Sequence, residues 1–360
     1  MKIFSMDNRK VIYKLGIVLG LAFSAGACKP TYDEIDNNNV ISKPYVLYVG
    51  DTFGAIYKTN DGISYQTVFG ADNYPATAMI TSGPNLLYIK NNVHIIENLG
   101  KGNDNTNPTL MSPGAFADYG ESIMIYVNTP DIKNKVYLGG VGVKGLKYND
   151  SNGRPGISYS NWKDDLDPNF PAGTLITSLT LLDNGRLIAY DDVNKRTFKL
   201  TSSSLQWSQT TGTALPSSGK FFLSHMGNVL LAADRTGANG VYYSTNDGNS
   251  WSQYTGIPTT LEILSMTGGF SQTVLVGTNG GGVYRLPVGS TKFVTANIGM
   301  PKNAFVKSLT EKYDYYKNNT SKQYIYAATD QGIYRSQDLG ENWVKVYENP
   351  DKKGSFTVMY

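Results

Sequence analysis

The stretch STNDGNSW, Ser244 to Trp251, has a close copy in SQDLGENW, Ser336 to Trp343, and a more worn one in KTNDGISY, Lys58 to Tyr65. Each copy follows a short strand opened by glycine: Gly54-Ala-Ile-Tyr, Gly240-Val-Tyr-Tyr and Gly332-Ile-Tyr-Arg. The same strand recurs at Gly282 with Phe293 in the aromatic place, at Arg196 with Trp207, and at Gly145 with Trp162 beyond an inserted SNGRPG. All four tryptophans therefore occupy one repeat position. Upstream of each glycine place lies a second apolar strand, among them YVLYVGD, RLIAYDD, NVLLAAD and YIYAATD.

The units begin at positions 54, 145, 196, 240, 282 and 332, and the first interval is about twice the others. A seventh copy fills that gap at residues 85–98, NLLYIKNNVHIIEN, with Asn92 near the glycine place and no aromatic box. Seven units of roughly 46 residues predict a seven-bladed β-propeller of four-stranded antiparallel blades, because repeats of this length each supply one blade. Period-2 apolar alternation and frequent Gly, Asn and Asp turns agree. The first apolar strand has only tether before it, so its inner partner is missing locally. GSFTVMY, Gly354 to Tyr360, is the predicted replacement, a C-terminal strand that joins the first blade and removes an open sheet edge.

Ahead of the propeller, expected over 45–360, stand two other segments. The net charge of +3 belongs to the first 27 residues, where Lys2, Arg9, Lys10 and Lys14 face only Asp7. The remainder is formally neutral and offers no electrostatic footprint for nucleic acid. Residues 1–27 carry a basic start and the apolar run LGIVLGLAFSAGA, the length of a signal peptide and too short to span a bilayer. The run ends at Cys28, the only cysteine, one residue after Ala25-Gly26-Ala27. This stretch resembles a bacterial lipoprotein signal, with Ala25 where Leu is commonest. The resemblance implies lipidation at Cys28, export, and a membrane anchor, in an outer membrane with a periplasmic or surface-facing body. Residues 28–44 read as a flexible, Asn-rich tether, whose Asp33-Glu34-Ile35-Asp36 resembles an acidic surface-export signal.

SQDLGENW matches the Asp-box, Ser-x-Asp-x-Gly-x-x-Trp, at Ser336, Asp338, Gly340 and Trp343. STNDGNSW matches at Ser244, Gly248 and Trp251 with Asn246 in the Asp place. KTNDGISY keeps Gly62 but puts Lys58, Asn60 and Tyr65 in the other places. The chain thus resembles the Asp-box, or BNR-repeat, propellers found in sialidases, xyloglucanases, sortilin-like receptors and photosystem II assembly factors. In that family the box is a structural turn away from the active-site face. The short polar side chain bonds nearby N–H groups, glycine takes a conformation that a Cβ penalises, and the aromatic packs the turn down.

Catalytic chemistry is sparse. Sialidases use three arginines, a Tyr–Glu pair and an Asp; after the leader this chain has Arg154, Arg186, Arg196, Arg235, Arg285 and Arg335, the last two at one repeat position. Asp51, Asp191, Asp234 and Asp330 recur at strand ends, as a carboxylate ring or as repeated turn residues. His94 and His225, the only histidines, sit in apolar strands without Cys partners, which argues against zinc. No cofactor or metal is expected. Three insertions depart from the repeat, 98–120, 149–172 and 312–323, and Tyr313, Tyr315 and Tyr316 in the last are candidate binding residues. The expectation is a binding or assembly module for a protein or glycan; the alternative is a sialidase-like glycoside hydrolase whose catalytic residues do not map.

Overall fold

The computed structural model describes residues 41–82, 85–90, 92–96, 109–111, 124–142, 145–150, 162–200, 205–268, 273–348 and 355–360. The leader, Cys28, most of the tether and the larger part of the first two insertions lie outside them. The chain divides into two compact units. The larger, Pro44–Tyr313 with Gln323–Tyr360, is a seven-bladed propeller of four-stranded antiparallel sheets.

After a short β1 (Ile41–Lys43), the blades follow in chain order, and within each the strands run A to D from the channel outward. Blade 1 holds β2 (Leu47–Asp51), β3 (Ile56–Thr59) and β4 (Gln66–Phe69) as B, C and D. Blade 2 is β5 (Ala78–Ser82), β6 (Asn85–Lys90), β7 (Asn92–Ile96) and β8 (Thr109–Met111), where the hidden copy was expected. Blade 3 is β9 (Met124–Val127), β10 (Lys135–Gly139), β11 (Leu146–Asp150) and β12 (Trp162–Asp164). Blade 4 is β13 (Ile176–Leu181), β14 (Leu187–Asp191), β15 (Arg196–Leu200) and β16 (Trp207–Gln209). Blade 5 is β17 (Phe221–Met226), β18 (Val229–Asp234), β19 (Val241–Ser244) and β20 (Ser252–Tyr254). Blade 6 is β21 (Ile263–Gly268), β22 (Val274–Thr278), β23 (Val283–Leu286) and β24 (Val294–Thr295). Blade 7 is β25 (Val306–Tyr316), β26 (Ser321–Thr329), β27 (Gly332–Ser336) and β28 (Val344–Tyr347).

The last strand, β29 (Phe356–Met359), supplies strand A of blade 1. It pairs antiparallel with β2, Val49 opposite Met359 and Gly50 opposite Val358, and Tyr48 and Tyr360 exchange both backbone bonds at 2.8 and 3.0 Å. The ring closes as the sequence predicts.

Blade packing explains the residue pattern. Both faces of a B strand are covered by neighbouring blades, so all five residues of β2, β14 and β22 are buried and read as continuous apolar runs. D strands lie at the rim and bury one face only; β4 exposes Gln66 and Thr67. The recurrent glycine opens the turn between B and C, where Gly54, Gly145, Gly240, Gly282 and Gly332 all have positive φ, between 66° and 130°.

The carboxylates at the B-strand ends are clasps, not a ring of free acids. Asp191 accepts the N–H of Leu175, Asp234 that of Lys220, and Asp330 that of Phe305, each at 3.0 Å. Each donor stands just before its own blade's A strand, so one carboxylate holds the blade's two innermost strands together at that end. Asp51 instead caps its own turn through the N–H groups of Phe53 and Ala55.

Of the smaller unit, residues 41–43 and 314–322 are described. There β1 pairs antiparallel with the end of β25, Ile41 opposite Tyr316 and Lys43 opposite Tyr315. The Ser42 hydroxyl donates to the Tyr315 carbonyl at 3.0 Å, and the turn is held by Thr320 donating to Asn318.

Candidate functional site

The box residues are the first candidates, and their geometry is that of a turn. In blade 7 the Ser336 hydroxyl donates to Asp338 at 2.7 Å and accepts the Gly340 N–H, while Asp338 accepts the Asn342 N–H at 2.9 Å. Leu339 and Gly340 have φ of 58° and 82°, and Trp343 is buried with its indole N–H on the Ala296 carbonyl of the preceding blade. Blade 5 repeats this with Ser244, Asn246 and Gly248. Blade 1 departs from the sequence alignment. Thr59, not Lys58, supplies the hydroxyl, and Asp61, not Asn60, supplies the acceptor for Ile63 and Ser64. That turn is one residue shorter, so alignment on the aromatic end shifts the polar places by one.

The arginines are likewise engaged on the blades. Arg186 contacts Asp247 at 2.7 Å, Arg285 contacts Glu341 at 2.6 Å, Arg196 donates to the carbonyls of Thr210 and Gly212, and Arg335 donates to the Asp61 carbonyl. His94 stacks on Tyr88 at 5.2 Å.

The channel is lined by the seven A strands. Near their starting ends lies a cavity of about 140 Å³ whose hydroxyls link one A strand to the next. Ser178 accepts the Leu223 N–H, Ser265 donates to the Val306 carbonyl, and Ser308 accepts the Met359 N–H. Those polar groups fasten the ring.

At the other mouth, where A strands turn into B strands, a wider recess of about 270 Å³ is lined by Asp183, His225, Gly227, Thr267, Gly268, Glu311 and Tyr313. His225 is the next-to-last residue of β17, with Nδ1 3.0 Å from the Thr180 hydroxyl and Nε2 3.5 Å from Asp183 Oδ1. Glu311, on β25, accepts at one oxygen from the Tyr313 hydroxyl at 2.7 Å and from the Gln323 amide at 3.0 Å. Its other oxygen, Oε1, is buried without a partner. Burial pushes the Glu311 carboxyl up, against the two hydrogen bonds, and pushes His225 down, against the nearby Asp183 carboxylate. Side chains alternate along β25, so Lys312 points to the other side, where its ammonium lies 4.9 Å from the Tyr360 ring centre and burial pushes its pKa down to about 8. Burial also raises the Tyr126 phenol, as does nearby Tyr360.

Glu311 and Lys312 are displaced toward neutral pH and His225 away from it, and together with the recess these groups mark the mouth at which this propeller can recognise a ligand. Of the three tyrosines singled out in the sequence, Tyr313 is in this recess; Tyr315 and Tyr316 belong to the smaller unit. Among the described residues no group of three or more His, Cys, Asp or Glu side chains is placed to hold a metal. Sequence reasoning weighed His225 only as a zinc ligand and passed over Asp183 and Glu311. The usable signal was polar residues at the downstream ends of otherwise apolar A strands.

No protein-family model and no curated protein sequence matches the chain. Solved structures do. A streptogramin B lyase aligns with a TM-score of 0.53 at 13% identity, over 80% of this chain and 92% of the other. The computationally designed protein Ika8 aligns at 0.51 and 11% identity over 88% and 94%, and YCF48 from Cyanidioschyzon merolae at 0.50 and 16% over 82% and 95%. At these identities the likeness is one of fold: the chain is similar to β-propellers.

Proposed function

We propose that the chain is an exported lipoprotein, acylated at Cys28 and held on a bacterial outer membrane, whose Asp-box propeller is a binding or assembly module for a protein partner docking at the A–B mouth. The observation that carries this reading is the recess there, in which Glu311 offers a buried, unpartnered oxygen beside Asp183, His225 and Tyr313. The arginines support it in part, since Arg186, Arg196, Arg285 and Arg335 are held by carboxylates and carbonyls of the scaffold, while Arg235 lies over the Phe222 ring at 4.5 Å. The fold likeness to YCF48 points the same way, photosystem II assembly factors being one of the groups whose Asp-box propellers this chain resembles.

A glycoside hydrolase is the second reading, favoured by two carboxylates, Asp183 and Glu311, in one recess. The experiment separates the two. Protein covering residues 29–360 should retain an envelope protein in a pull-down and release neither sialic acid nor aryl aglycones above background. Turnover abolished by Glu311→Gln or Asp183→Asn would establish the hydrolase instead. For the anchor, Cys28→Ala should move the protein from the membrane to the soluble fraction; wild type that takes up no labelled fatty acid would refute lipidation.

A further inference from the structure

The recess at the A–B mouth has an excess of acceptors. Glu311 Oε1 is buried and unpartnered, and Asp183, with 39% of its side chain exposed, has the His225 imidazole as its neighbour at 3.5 Å. Among the described residues neither carboxylate is paired with a lysine or arginine. The one ammonium on the adjoining stretch of β25, Lys312, is turned to the other side of the strand against Tyr360. A buried acceptor left without a donor carries an unmet desolvation cost, and a carboxylate without a counter-charge adds to it. A ligand relieves both by bringing positive charge and several N–H donors together.

Size narrows the choice. At about 270 Å³ the recess falls just below the roughly 300–1,000 Å³ of pockets that engulf a small molecule, so it takes one side chain of a larger partner. Gly227 forms part of its wall, and a Cβ there would face Asp183 Oδ2 at 3.9 Å, so its absence leaves room for a slender stem, while Gly268 lets its strand approach the His225 backbone closely. Tyr313 and Thr267 add hydroxyls at the edge. A lysine side chain meets these conditions: a thin apolar stem, and three donors at its tip for Glu311 Oε1, Asp183 and a hydroxyl.

We infer that the A–B recess is a socket for a lysine side chain of a protein partner, with Glu311 as its buried counter-ion and Asp183 as the outer one. This rests on the binding-module reading and specifies what the module grips.

The test uses full-length protein in detergent and calorimetric titration with Nα-acetyl-L-lysine methylamide, against the uncharged norleucine analogue. The lysine probe should bind saturably and the norleucine probe should not. Glu311→Gln, which keeps the shape and removes the charge, should weaken the lysine probe by about tenfold or more, and the exposed Asp183→Asn by about threefold. Melting curves of both variants identify any loss due to misfolding, and Asp183→Asn, at the surface, remains informative should Glu311→Gln fail to fold. Equal binding of both probes, or affinity unmoved by either variant, overturns the socket. So does binding of glucosamine in preference to the lysine probe. Should an envelope protein be retained equally by wild type and Glu311→Gln, the socket is wrong while the binding module stands.

Discussion

Asp191 Oδ1 accepts the N–H of Leu175 at 3.0 Å and so ties the end of blade 4's second strand to the start of its first. Asp234 does the same in blade 5 with Lys220, and its carboxylate also receives donors from Thr236 and Asn239. A propeller has no disulfide here to hold its inner strands together, since the chain contains one cysteine. Such clasps substitute for one at the side of the channel opposite the recess.

Asp234→Ala should therefore destabilise the fold by about 3 kcal/mol, because several donors lose a fully buried charged acceptor at once. Burial, the largest single influence on Asp234, pushes its pKa up, but the donors from Lys220, Thr236 and Asn239 outweigh it and hold the carboxyl below 3.8. The sign follows. The stabilisation is complete above the unfolded value and is lost as pH falls through the depressed native one. Urea unfolding at pH 7 and pH 3 checks both parts; a variant as stable as wild type at pH 7 would make the clasp ornamental.

Blade 2 has a cation in the corresponding place. Lys90 ends β6, is 3% exposed, donates to the Gly54 carbonyl, and lies 3.0 Å from Asp72 and 4.3 Å from the Phe69 ring centre. It bridges blade 1 to blade 2. Lys90→Met should cost about 2 kcal/mol, less than a fully buried pair would, because Asp72 is 35% exposed and regains water. Adding Asp72→Asn should recover part of that loss; a double variant showing strict additivity would mean the two side chains do not interact.

The fold was readable because a propeller repeats a local solution from blade to blade: a glycine with positive φ at the B–C turn in five blades, a carboxylate clasp at a strand end in three, and an aromatic at the rim in six. Even so, local shifts were lost. Thr59 and Asp61 do the work expected of Lys58 and Asn60, because one fewer residue in the turn is invisible to an alignment anchored on Tyr65. The recess was less legible for a different reason. Thr180 and His225 meet 45 positions apart, and Glu311 comes from yet another blade. A site assembled from one residue per blade has no contiguous motif, and each contributor alone looks like a stray polar residue in an apolar strand.

Closure gives a third expectation. The pairing of β29 with β2 joins strands from opposite ends of the propeller's sequence in one blade, and Phe356, Val358 and Met359 are buried there. Deleting residues 354–360 should lower the melting temperature by about 10 °C or more, or drive aggregation through the bared edge of β2. A truncated protein that melts like the parent and stays monomeric by light scattering would show that the blade does not depend on this strand.

The last expectation concerns Lys312, whose ammonium is buried against Tyr360 and titrates near 8, below its ordinary 10.5, because burial disfavours the charged form. Between those two values the unfolded chain holds a proton that the folded protein has released. Stability contributed by this group therefore rises with pH from about 8 to 10.5 and is at its least below 8. Lys312→Met removes the buried charge while its thioether keeps contact with the ring. The variant should be more stable than wild type at pH 6 by about 1 kcal/mol, the cation–ring attraction offsetting part of the desolvation cost. At pH 10 the two should converge, since the wild-type amine is then mostly neutral in the fold. Denaturant midpoints at the two pH values measure the difference directly. A gap of equal size at both would mean that packing, not charge, sets the effect of Lys312.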